Sequence, residues 1–172
     1  SDKYEDGLNL INDTFKNKKI DLKDPDLDDY FENLGDQINY NFEKLHPGIT
    51  DTVKNFIGKL TPMEEDMKAS AQKYRELGMD VPVEMRKGLL DMARLKALTG
   101  SAEDLQILLG ERLANSPEDL KRYMANGGEI PDAVAEGIRL ADPNLAREVG
   151  LIQKRMGTVE QYADTQNANM SQ

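Results

Sequence analysis

Three stretches hold side chains of the types that catalysis or metal binding uses. His46, in "LHPGI", is the only histidine, and there is no cysteine. A hydrolytic triad or a multi-histidine zinc site needs partners that this chain does not contain. His46 is therefore read as a residue at a helix–helix corner. "DPDLDD", from Asp24, places Asp24, Asp26 and Asp28 at the first, third and fifth positions of a calcium loop. Position six is then Asp29 where the loop needs glycine, and position twelve is Gly35 where it needs glutamate, so a capped acidic first turn is expected instead. "MEEDM" offers Glu64, Glu65 and Asp66 as paired carboxylates for acid–base work. Consecutive helical residues point about 100° apart, so these three fan around an axis and do not converge. No phosphate loop, dinucleotide fingerprint or nucleophile elbow occurs. The chain is expected to have no catalytic residue, no cofactor and no metal site, and not to be an enzyme.

The elements that would carry these residues are helices. The prolines punctuate the chain where helices are expected to begin. "TPME" at 61–64 and "SPED" at 116–119 place a hydroxyl at the N-cap, proline next and an acid soon after. "SAED" at Ser101, "DPDL" at Asp24 and "DPNL" at Asp142 are further caps. Between them the apolar period is helical: Leu27, Phe31, Leu34, Ile38, Phe42 and Leu45 form the longest stripe. Shorter stripes are Leu8, Ile11, Phe15; Val53, Phe56, Ile57, Leu60; Met85, Leu89, Met92, Leu95; and Leu145, Val149, Ile152, Met156. No alternation persists long enough for a strand. The fold class expected is all-α, an elongated stack of short helices, as a helical repeat or an irregular bundle, with residues 167–172 fraying.

Composition limits the partners. Of 172 residues, 38% are hydrophobic and 31% charged, and the net charge is −10. Residues 1–66 hold 16 acidic against 8 basic side chains, so the excess is concentrated there. That divides the chain into an acidic N-terminal helical unit, 1–66, and a repeat region, 67–172. No basic surface is available to neutralise phosphates, so neither nucleic acid nor an anionic membrane is an expected partner. No apolar run approaches a membrane span. The chain opens at Ser1 without methionine and is read as a fragment of a longer protein.

One pattern occurs twice. "GMDVPVEMRKGL" begins at Gly78 and "GGEIPDAVAEGI" at Gly127, 49 residues later. Each glycine follows a helical stretch and is expected to close it in the left-handed conformation. Val81 and Ile130, preceding proline, leave the helix and turn inward. Pro82 and Pro131 restart a helix within its first turn, and Gly88 and Gly137 then allow close approach of a neighbouring helix. Residues 74–99 and 123–148 agree at five positions in 26, four of them Tyr74/Tyr123 and the glycine and proline pairs. The expectation is a helix–corner–helix joint used twice, with stacked helix pairs.

The run "LTGSAEDLQILLGERLANSPEDLKRYMANGGEIPDAVAEGI" resembles the helical repeats of bacteriophage and prophage tail tape measure proteins, over roughly residues 74–156. That resemblance implies a non-enzymatic structural segment acting in tail length determination and tail assembly. Its implied partners are other tail proteins, tube or assembly chaperones, or copies of itself, in the virion tail and in the host cytoplasm during assembly. The alternative from the same residues is a helical-repeat module that binds a protein partner. A helical enzyme fragment, such as a lytic one, would need carboxylates that converge in the fold.

Overall fold

A computed structural model describes residues 3–17, 22 and 26–152. Eight helices follow in order: α1 (Lys3–Asn17), α2 (Leu27–Leu45), α3 (Ile49–Glu76), α4 (Val83–Ala97), α5 (Ala102–Ala114), α6 (Pro117–Ala125), α7 (Asp132–Ala141) and α8 (Pro143–Glu148). Helix accounts for 80% of the described residues and no strand occurs among them, so the protein is an all-α bundle of mostly short helices.

The bundle is built around α5. Its residues 104–110 are buried without interruption, and α2, α4, α6 and α7 all rest on it. A helix covered on every side carries apolar residues all round, which is what "DLQILLG" supplies, with Asp104 and Gln106 as its buried polar exceptions. On α2 the long stripe behaves as the periodicity requires. Leu27, Phe31, Leu34, Ile38 and Phe42 are buried, and only Leu45, at the helix end, is exposed. Ile11 and Phe15 of α1 join the same core, which continues without a break to Leu145 and Ala146 of α8. The boundary expected after residue 66 falls inside α3, and residues on both sides of it share that core.

Helix α3 departs from the sequence expectation. "TPME" does not start a helix: Pro62 lies inside 28 continuous helical residues. The true start is at Ile49, after "HPG". Gly48 takes a left-handed φ of 81°, and the Glu43 carboxylate of α2 accepts from the Gly48 N–H (2.5 Å) and the Thr50 N–H (3.2 Å). The helix continues through proline because neighbours can absorb it. Proline removes the bond to the Gly58 carbonyl, Gly58 has open space around it, and the Thr61 hydroxyl donates to the Ile57 carbonyl at 3.0 Å. The acidic trio therefore sits mid-helix, not in a first turn. Two of the other expected caps form side-chain bonds. Ser101 Oγ accepts from the Asp104 N–H (3.4 Å) and Asp142 Oδ1 from the Leu145 N–H (3.0 Å). Ser116 and Pro117 open α6 without a side-chain bond. Asp24 and Pro25, Met156 and residues 167–172 lie outside the described residues, whereas Asp26 immediately precedes α2 and Asp28 and Asp29 stand in its acidic first turn.

Candidate functional site

The two joints have the same backbone. Gly78 (φ 70°) and Gly127 (φ 81°) are left-handed. Before each, the N–H of the glycine donates to the carbonyl three residues back, Arg75 (2.9 Å) and Met124 (3.0 Å). The next N–H donates to the carbonyl of the matching tyrosine, Met79 to Tyr74 (2.9 Å) and Gly128 to Tyr123 (3.1 Å). This is the paired closure that satisfies the last carbonyls of a helix. Val81 is buried and Ile130 half-buried against the core. Pro82 (φ −53°, ψ 144°) and Pro131 (φ −56°, ψ 147°) are extended N-cap residues, so each new helix begins one residue later than expected. Their carbonyls receive the first helical N–H groups, from Arg86 and Ala135, both at 2.9 Å.

The surroundings of the joints differ. The first is clamped by two arginines. Arg86 donates to the Val81 carbonyl (3.0 Å) and to the Leu140 carbonyl at the end of α7 (2.9 Å), and Arg147 of α8 pairs with Asp80. The second is held by Tyr123, whose hydroxyl lies within hydrogen-bonding distance of the carbonyls of Glu129 (3.0 Å) and Leu22 (3.1 Å) and whose ring lies over Gly128. Across the first joint α3 and α4 pack on one another, whereas α6 lies on α5 and α7 crosses α5. The glycines inside the helices divide in the same way. A Cβ on Gly137 would stand 1.8 Å from the Ile107 carbonyl oxygen, so α5 and α7 touch backbone to backbone there. A Cβ on Gly88 would meet only the tip of Met67, at 2.4 Å. Gly137 fits the expected close approach, and Gly88 faces a flexible side chain.

Sequence spacing did not find the charged cluster at the α3–α4–α5 contact. Glu64 is buried and accepts from Lys68 (2.9 Å) and Lys96 (3.0 Å). Lys96 also pairs with Asp104 at 3.7 Å. Burial opposes the charge on Glu64, but hydrogen bonds from Lys68 and Lys96 outweigh it and hold the carboxyl below its usual value. Burial pushes Asp104 up, against the Ser101 hydrogen bond and the Lys96 charge. Burial also opposes the charge on Lys96, yet the Glu64 hydrogen bond and the nearby carboxylates raise it. Two carboxylates thus converge on one ammonium, as a shared ion-pair clamp between helices. Glu65 and Asp66 stay exposed. A cleft of about 260 Å³ runs on from the cluster over Ala71, Leu89, Ala93 and Leu140 to Arg75 and Glu136, which bond at 2.5 Å.

His46 ends α2, as a corner residue, with Nε2 3.3 Å from Asp6 Oδ2 and its ring edge-on to Phe42. Among the described residues no group of three or more His, Asp or Glu could hold a metal ion, and no helix is long and apolar enough to cross a membrane. Compared with protein-family models, curated proteins and solved structures, the chain matches none.

Proposed function

We propose that the chain is a non-enzymatic structural segment of a phage tail tape measure protein, acting in tail length determination and tail assembly. The observation that carries this reading is the repeated joint. Glycine closure, extended proline cap and restarted helix recur 49 residues apart with the same dihedrals and the same hydrogen bonds, in two different packing environments. A joint set by its own residues suits a chain laid out as a run of similar helical units, where each unit adds length. The tape measure resemblance of residues 74–156 supplies the class of assembly. The partners on this reading are tail tube proteins, assembly chaperones or further copies, in the virion tail and in the host cytoplasm during assembly.

The test is an in-frame deletion of residues 78–126 from the parent gene, followed by tail-length measurement. That deletion removes one full period. It splices Leu77 onto Gly127, so Tyr74 remains four residues before the closing glycine and one complete joint survives.

A second reading, a helical module that binds a protein partner, is favoured by one feature. Phe56 and Met63 on α3 are 50% and 58% exposed, an apolar face that the bundle leaves uncovered. A saturable partner captured through that face, with tail length unchanged by the deletion, would favour this reading.

A further inference from the structure

The cleft that α3, α4, α5 and α7 enclose is polarised along its length. One wall is α3 from Glu64 to Arg75, eleven residues that rise about 16 Å. At the Glu64 end three carboxylates, of Glu64, Glu103 and Asp104, face the two ammonium groups of Lys68 and Lys96. At the other end two guanidinium groups, of Arg75 and Arg139, share the carboxylate of Glu136. Among the described residues one end therefore has negative charge in excess and the other positive. Between them the floor is apolar, formed by Ala71, Leu89, Ala93 and Leu140.

Asp104 is the group that its surroundings serve least. Its side chain is 5% exposed, and the ammonium paired with it, that of Lys96, stands 3.7 Å away and closer to Glu64, at 3.0 Å. A buried carboxylate is stabilised by a direct hydrogen bond from a cation, which Lys96 gives to Glu64 and not to Asp104.

We propose that this cleft binds a small dipolar ligand of the ω-amino acid class. Its ammonium sits on Asp104 and Glu103, its short apolar chain on the floor, and its carboxylate at Arg75. An extended chain of about eight carbons spans roughly 10 Å, within the rise of α3 between the two ends. At about 260 Å³ the cleft lies at the small end of ligand sites, with the apolar lining and few polar groups such sites have. A simple anion would meet the carboxylates of one end and a simple cation the guanidinium groups of the other. Only a ligand with both charges is matched at both ends. The inference is independent of the tape measure reading.

The experiment is isothermal titration calorimetry of the full 172-residue chain with ω-aminooctanoate, and with octylamine and octanoate as half-matched probes. The amino acid is expected to bind saturably, one to one, at about 1 mM or tighter, and each half-matched probe at least about tenfold more weakly. Asp104→Asn, and Glu103→Gln at an exposed position, are each expected to weaken ω-aminooctanoate several-fold while circular dichroism shows the helices intact. No saturable binding at millimolar ω-aminooctanoate overturns the proposal. So does an amino acid that binds no tighter than octylamine or octanoate, or binding that both substitutions leave unchanged in folded protein.

Discussion

Gly110 of α5 and Gly137 of α7 face each other with Cα atoms close enough that a Cβ built on either would come within 2.9 Å of the other's Cα. On Gly110 that Cβ would also fall 2.0 Å from the Val134 carbonyl oxygen. Both obstacles are backbone, which cannot rotate away. This crossing seats the second joint on the central helix.

Gly137→Ala is therefore expected to destabilise the protein by roughly 3 kcal/mol, the upper range for overpacking, even though alanine is the better helix former. Gly137→Val should cost more. Gly88→Ala occupies the matching position of the first joint, where Met67 can swing aside, and should be near neutral or stabilising by up to about 1 kcal/mol. Urea denaturation of the pair checks this. Equal costs at the two glycines would contradict the packing described.

Pro62→Ala restores an N–H to the middle of α3. An interior proline costs about 3 kcal/mol, part of which is returned by its stiffening of the unfolded chain, so a gain of roughly 2 kcal/mol is expected. A helix that began at Pro62 would gain nothing from the change. Thermal unfolding distinguishes the two.

The Glu64–Lys96–Asp104 clamp gives a signed pH dependence. Glu64 has its folded pKa below the unfolded value, so its contribution is present above that unfolded value and is lost as pH falls through the folded one. Lys96 is raised, so its contribution is present below its unfolded value and is lost as pH rises through the folded one. Asp104 is raised and works the other way from Glu64: its ionised form costs stability near neutral pH, and the cost disappears as acid protonates it. Glu64→Gln should lower stability at neutral pH and flatten the acid limb of the stability curve. Asp104→Asn should lose much less at neutral pH than Glu64→Gln. Urea midpoints measured from acid to alkaline pH check both, and a larger loss for Asp104→Asn would invert the assignment.

The joints were legible in the sequence because their requirements are local. A left-handed φ at Gly78 and Gly127 and an extended residue before Pro82 and Pro131 follow from a few neighbouring residues. The Ser101 and Asp142 caps are legible for the same reason. What the sequence hid is set by distant partners. Pro62 reads as a start signal, and only the helix around it, begun under Glu43, carries it through. Glu64 reads as one of three acids that fan around a helix axis, because Lys96 lies 32 residues away. Gly88 and Gly137 occupy equivalent places in the pattern, but whether a backbone or a methionine tip lies opposite depends on which helix crosses there. Arg86 signals its clamp on Leu140 nowhere in its own neighbourhood.

The most direct measurement is tail length by electron microscopy after deleting residues 78–126 from the parent. If the segment is laid out as helix at about 1.5 Å per residue, tails shorten by roughly 70 Å. Tails of unchanged length would contradict a measuring role and make the bundle a folded docking unit.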